Sequence, residues 1–403
     1  MEDFKIMIAG HKQHGKSAII KRLLYERGFS FDTPKNNNAS PRLTVRLEGY
    51  GIAESQIKQL EPSVLNHDKF RFSTAMRDYI LIDTSGYGGF LSNMVDNTHT
   101  ADAAILVVDC LKGPGIETWN QVYIMGMFGI QQAIVIINKM DLTDYDRLRF
   151  WDVSEEVDEY LRAIGINIAS VIPASASYGD NITSEGTNMP WNTAPMLMKS
   201  LDLLYPSKRC SQFPLRFVVE CVCICAGRRE VQGRILTGRI IKGQQITFTP
   251  QLYTTEILEV IVDGQSVHSA GPGQWVGLLL RDSQHLERGL VGCNLCSAPL
   301  TTDYIVTHVF WTDSSGLKTG DEVKIRFETC CCIARIEHIS NIVEPPHIDA
   351  ATGDAEQLMP LQAADVRMKL ARPVCVDPFG QIPDLGKFAI FRNNSLAGGG
   401  ILR

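Results

Sequence analysis

The sequence predicts an α/β domain built on a parallel sheet, followed by two small antiparallel β-barrel domains. Three observations predict it. Apolar runs at 4–9, 79–83, 103–109, 133–137 and 169–173 alternate with helical stretches, the pattern of a doubly wound sheet. After Tyr205-Pro206-Ser207-Lys208 the alternation stops, and short strands punctuated by glycine and proline take over without helices. Those strands fall into two runs, with Pro299-Leu300-Thr301-Thr302 between them. The expected domains are 1–205, 208–300 and 301–403, and 403 residues suffice for three cores.

The first strand, Phe4-Lys5-Ile6-Met7-Ile8-Ala9, runs into Gly10-His11-Lys12-Gln13-His14-Gly15-Lys16-Ser17, and Ala18 to Leu24 reads as a helix. The loop fits G-x-x-x-x-G-K-[ST] in the strand–loop–helix setting that this phosphate-binding motif requires. Its glycines let backbone N–H groups approach phosphates, and the helix N-terminus adds a favourable dipole. Lys16 is expected to reach the β- and γ-phosphates, and the Ser17 hydroxyl to hold Mg²⁺.

A long, turn-rich stretch follows, including Asp32-Thr33-Pro34-Lys35-Asn36-Asn37-Asn38-Ala39-Ser40-Pro41, in the switch I position. Next, Tyr79-Ile80-Leu81-Ile82-Asp83 ends in an acid placed to assist Mg²⁺, and Thr84-Ser85-Gly86 offers a glycine N–H to the γ-phosphate. The strand Ala133 to Ile137 leads into Asn138-Lys139-Met140-Asp141. A carboxylate at Asp141 accepts from guanine N1 and N2, so N-K-x-D selects guanine over adenine. Ser175-Ala176-Ser177 fits the backbone loop that contacts guanine O6. Four motifs in order, each at a strand end, fit binding at the carboxyl edge of a parallel sheet. The first domain thus reads as an α/β P-loop GTPase domain that binds GTP and GDP.

Composition bounds the rest. With 44% hydrophobic and 21% charged residues, the chain is an ordinary globular one, and no apolar run is long enough for a bilayer. The first strand begins almost at Met1, leaving no room for a targeting segment, so a cytoplasmic protein without a membrane partner is expected. The eleven cysteines do not show disulfide or zinc spacing. Cys221, Cys223 and Cys225 alternate along one strand, and Cys293-Asn294-Leu295-Cys296 has no second pair, so reduced structural thiols are expected. The net charge is −6, but residues 208–300 carry ten basic against seven acidic side chains. Arg228, Arg229, Arg234, Arg239 and Lys242 lie close together there, either as a solvated strand pair or as a nucleic-acid-facing patch.

With these residues placed, the chain resembles translational GTPases of the elongation factor Tu/elongation factor 1-alpha group over nearly its whole length. Gly10 to Ser17 is similar to that group's GHVDHGKT loop. Gly179-Asp180-Asn181, Asn188-Met189-Pro190-Trp191 and the closing Pro373-Val374-Cys375-Val376 and Leu385-Gly386-Lys387-Phe388-Ala389 resemble the elongation factor 1-alpha branch. The resemblance implies delivery of a tRNA, or a tRNA-shaped factor, to the ribosome, together with a nucleotide exchange factor. The GTPase subunit of ATP sulfurylase shares the layout, and Leu286-Glu287-Arg288-Gly289 is also similar to it. A regulatory subunit with an enzyme partner, or a non-hydrolysing GTP-binding scaffold, are therefore the alternatives.

The departures from the group's pattern cluster. Lys12 and Gln13 stand where the group has valine and aspartate. Tyr87 ends the series Asp83-Thr84-Ser85-Gly86-Tyr87, where the group places the histidine that orients the attacking water. Pro62-Ser63-Val64-Leu65 lacks the switch I threonine. In the middle domain, Pro272-Gly273-Gln274-Trp275-Val276-Gly277 has tryptophan for the group's asparagine, either filling the aminoacyl pocket or stacking on an aromatic ligand. Nucleotide-binding residues are kept and hydrolytic ones changed. Slow GTP hydrolysis is the expectation, with Tyr87, Lys12 and Lys16 as the catalytic residues.

Overall fold

Parallel strands covered on both faces need near-continuous apolar sequence, and that is what the first domain supplies. The structure is a computed structural model that describes residues 4–25, 29–32, 42–45, 69–74, 76–83, 91, 101–206, 212–225 and 227–403. The chain forms two compact units, divided after Pro206.

In the first unit, β1 (Phe4–Ala9), β5 (Asp78–Asp83), β6 (Ala103–Asp109), β7 (Gln132–Asn138) and β8 (Asn167–Pro173) are parallel, and β4 (Lys69–Ser73) adds an antiparallel edge. The order is β4-β5-β1-β6-β7-β8. A separate hairpin pairs β2 (Phe29–Asp32) with β3 (Arg42–Val45). Every residue of β6 and β7 is buried. Helix α1 (Lys16–Tyr25) lays Ile19, Ile20 and Leu23 on one face of the sheet, beside Leu197 and Leu201 of α4 (Leu197–Leu201). Helices α2 (Ile116–Met127) and α3 (Arg147–Ile164) lie between them in the chain. Asp146 caps α3 by accepting from the Leu148 N–H at 2.9 Å, and Gly165 ends it in the left-handed region. The carboxyl ends of β1, β5, β7 and β8 share one edge, which is where the four motifs lie.

The second unit holds two closed six-stranded antiparallel barrels. In the first, the pairing of Gln245–Thr249 with Tyr253–Val262 closes a ring that runs through Val291–Cys293, Arg216–Cys225, Arg228–Thr237 and Trp275–Leu280. In the second, Glu322–Arg326 with Cys331–Glu344 closes a ring through Lys387–Arg392, Ser395–Leu402, Leu300–Trp311 and Ala363–Val376. The strand Ser395–Leu402 carries Gly398-Gly399-Gly400. A Cβ on Gly400 would lie 2.5 Å from the Phe388 ring and 2.9 Å from the His308 carbonyl. Glycine is therefore what lets the neighbouring strands and the Phe388 ring close on this one.

The barrels are joined by the apolar cluster Val218, Leu236, Val291, Cys375, Ile382 and Leu385. Within the seam Arg216 makes a bidentate pair with Asp377 at 2.7 and 2.9 Å, both side chains buried. Arg234 pairs with Glu328 across the same seam. That pair changes how the basic stretch reads. Arg234 is structural, Arg229 donates to the Ser283 and Leu286 carbonyls at 3.1 and 3.4 Å, and Arg228 approaches Glu259 at 3.5 Å. Of the five cations in the stretch only Arg234 is withdrawn into the seam, and Arg228, Arg229, Arg239 and Lys242 stay exposed. The cysteines among the described residues are free thiols. Cys221 and Cys223 are half-buried rather than forming a closed face. Among the described residues no helix is long and apolar enough to cross a membrane.

Candidate functional site

A loop that wraps an anion must turn its N–H groups inward, and only residues tolerating positive φ allow that turn. Gly10 and Gly15 take φ of 134° and 101°, and Gln13 between them takes 74°. Space enforces the same choice: a Cβ on Gly10 would sit 2.2 Å from the Val107 carbonyl oxygen, and one on Gly15 2.2 Å from Asn138 Nδ2. The loop ends on the N-terminus of α1, where the first-turn N–H groups begin.

Lys16 lies back across its own loop, donating to the carbonyls of His11 at 3.2 Å and Gly10 at 2.5 Å. Burial lowers its pKa, opposed by the Asp83 and Glu117 carboxylates, and the net shift is downward. Asp83 is half-buried at the end of β5, in register with Ile8 of β1. Ser17 is exposed at the start of α1. His14 is buried beneath the loop with Nδ1 3.3 Å from the Val107 carbonyl, and burial pulls its pKa down to about 4. It is neutral at pH 7. His11 pairs with Glu117 at 3.1 Å, while Lys12 and Gln13 are exposed.

The base-side loops are tied to this cradle. Asn138 is buried at the end of β7, donates to the His14 carbonyl at 2.8 Å, and accepts from the Ala176 N–H at 3.0 Å. One side chain thus links the phosphate loop, the 138–141 loop and the 175–177 loop. Lys139 takes the left-handed region and bonds Asp109 at 2.7 Å. Burial pushes the Asp109 carboxyl up, but Lys139 and the Lys112 and Leu111 N–H groups outweigh it, and the net shift is downward. Asp141 accepts from the Ser175 hydroxyl at 2.6 Å. The carbonyl of Ser177, an exposed residue, accepts from Arg22 of α1 at 2.6 Å. Of the sequence-predicted residues, Gly86 and Tyr87 lie outside the described ones, as do residues 33–41 and 62–65 of the switch I reading.

Several contributors went unnoticed in the sequence. Gln121 of α2 accepts the Gly10 N–H at 2.7 Å, and Glu117, one turn earlier, holds His11 and lies near Lys16. Thr118, Asn120 and Gln121, all polar and all fully buried in one helix, were the available signal, since buried polar side chains need partners.

A glycine cradle on a helix N-terminus, a half-buried lysine lying across it and a base-side loop on the same sheet edge define a P-loop protein of the GTPase class. The profile described as elongation factor Tu GTP binding domain matches residues 2–263, and one described as GTP-eEF1A C-terminal domain-like matches 304–403. The chain belongs to the elongation factor Tu/elongation factor 1-alpha family of translational GTPases. It is 30% identical to an elongation factor 1-alpha from Aeropyrum pernix over 417 residues, covering 98% of this chain and 95% of that one. It is 29% identical to those from Methanopyrus kandleri (96% and 94% covered) and Nanoarchaeum equitans (96% and 92%).

Replacing Gln121 with Leu leaves the buried Gly10 N–H without its acceptor, a cost of about 1–3 kcal/mol. GDP affinity is expected to fall roughly tenfold in Gln121→Leu, with the melting temperature of the second unit unchanged. Titration with a fluorescent GDP analogue reads the effect. Unaltered affinity would mean that the loop keeps its shape without α2.

Proposed function

We propose that this chain is a GTP- and GDP-binding translation factor of elongation factor 1-alpha type. In this reading it delivers a tRNA, or a tRNA-shaped partner, to the ribosome in the cytoplasm, is served by an exchange factor, and hydrolyses GTP slowly. The nucleotide is held by residues 1–205, and the barrels 208–300 and 301–403 carry the delivered partner. The observation that supports guanine-nucleotide binding most is Asn138, which joins the phosphate cradle to the base-side loops through two hydrogen bonds. Relatives named elongation factor 1-alpha that match both units support the delivery role.

The residues present fit the nucleotide and its metal. Gly10 to Ser17 would surround the phosphates, Lys16 would turn from the loop carbonyls to them, and Asp141 would take the guanine N–H groups through Oδ2, its Oδ1 being engaged by Ser175. Ser17 and Asp83 would hold Mg²⁺, which would neutralise charge on the phosphates. Neutral His14 packs under the loop, so it supplies no cation there. Trp275 is 52% exposed on the rim of the first barrel. An indole so placed favours stacking on a ligand over filling a pocket within its own barrel.

Slow hydrolysis follows from Tyr87. A phenol with a reference pKa near 10 is a poor general base at pH 7 and offers a water less charge stabilisation than a histidine. Lys12 is exposed on the loop, free to put a cation near the phosphates as a partial substitute. Single-turnover GTP hydrolysis is expected to rise roughly tenfold or more in Tyr87→His and to fall in Lys12→Ala. A wild type that turns over GTP quickly with no partner, or a slower Tyr87→His variant, would contradict the reading.

A further inference from the structure

Helix α3 presents a groove to solvent that the nucleotide site does not use. Its helical wall is the stripe Phe150, Trp151, Ser154, Glu155, Asp158 and Arg162, and the facing wall is Val171 of edge strand β8 with the loop 191–194. The cavity is about 460 Å³, within the range of ligand-binding clefts. A stripe from Phe150 to Arg162, twelve rises along the helix, runs about 18 Å at the 1.5 Å helical rise. An extended peptide of about five residues has that length.

The lining is aromatic at one end and acidic along its length. Phe150 fixes two indoles, its ring centroid lying 5.5 Å from that of Trp151 and 5.2 Å from that of Trp191. Trp151 is nonetheless 53% exposed, an apolar surface left in water beside the still more exposed Leu148. The two lining carboxylates differ. Asp158 is held by Arg162 at 2.8 Å, whereas exposed Glu155 makes no ion pair among the described residues. An uncompensated carboxylate next to fixed indole faces matches one side chain best. A guanidinium stacks flat on an aromatic plane and gives a carboxylate two parallel N–H donors, which a lysine ammonium cannot do. A nucleic-acid segment would also stack on indoles, but it would bring its phosphates against Glu155 and Asp158.

We propose that this groove binds an extended, arginine-bearing segment of a protein partner, with the guanidinium against Trp151 and Trp191 and paired to Glu155. The site stands apart from the nucleotide reading, because no hydrogen bond or ion pair given among the described residues links its lining to the P-loop or the 138–141 loop.

The test is a tryptophan-fluorescence titration of the full chain with the peptide acetyl-Gly-Arg-Gly-Arg-Gly-amide. The same peptide with citrulline for arginine keeps the shape and removes the charge. Saturable quenching by the arginine peptide is expected, weakened by salt, with the citrulline peptide about tenfold weaker. Glu155→Gln should lose about tenfold in affinity, and Trp151→Leu most of the fluorescence change. Both positions are exposed, and melting temperatures check that the variants fold. Equal binding of the two peptides, unchanged affinity in Glu155→Gln, or no saturation would overturn the proposal. So would tetramethylammonium chloride binding there more tightly than the arginine peptide, because the site would then read a quaternary ammonium instead.

Discussion

Lys16→Ala is expected to lose GDP and GTP binding by roughly a hundredfold or more, about 3 kcal/mol for a charge-assisted contact to phosphate. The lysine is pre-placed for this. It already crosses the loop to the Gly10 and His11 carbonyls, and the Asp83 and Glu117 carboxylates oppose the burial that lowers its pKa. Alanine removes the charge without disturbing the glycines that shape the cradle, so the melting temperature without nucleotide should hardly move. Calorimetric titration reads the affinity. A variant that bound GDP as the wild type does would place the phosphates elsewhere.

The second large effect is a change of base. In Asp141→Asn one carboxylate oxygen is replaced by an amide donor. The Asn carbonyl can still accept from Ser175, as Asp141 Oδ1 does at 2.6 Å, while its NH₂ faces the base. Guanine N–H groups then meet a donor, and a site built around a hydrogen bond rejects the mismatch strongly. GDP affinity is expected to drop about a hundredfold and xanthosine diphosphate to become the preferred ligand. Competition between the two diphosphates for a fluorescent analogue reads the switch. Retained guanine preference would mean that Asp141 does not contact the base.

Much of this was legible in the sequence because it depends on local chemistry. Continuous apolar runs such as Ala133 to Ile137 announce buried parallel strands, and the phosphate loop is a contiguous motif whose glycines are needed for backbone reasons. What was not legible depends on distant partners. The antiparallel edge strand Lys69–Ser73 and the glycine-rich strand Ser395–Leu402 carry weak patterns of their own and exist through their neighbours. Gln121 and Arg22 act on the site from 111 and 155 residues away in sequence. Arg234 looked like one more cation in a basic stretch, yet it is bound to Glu328, 94 residues on, in the seam between the barrels. Charge counts along a chain show composition; they do not show which charges are already paired. The motif Pro373 to Val376 is continuous with Ala363 to Arg372 in one strand, the register slipping where Thr302 and Tyr304 face it.

Guanine-nucleotide binding at the carboxyl edge of the first sheet is the central claim. The most direct measurement is the wild-type chain's affinity for GDP set against ADP, by calorimetric titration with Mg²⁺ present. GDP is expected to bind at least about a hundredfold more tightly than ADP, because the base-side loops accept what adenine cannot donate. Equal affinities for the two nucleotides would contradict it.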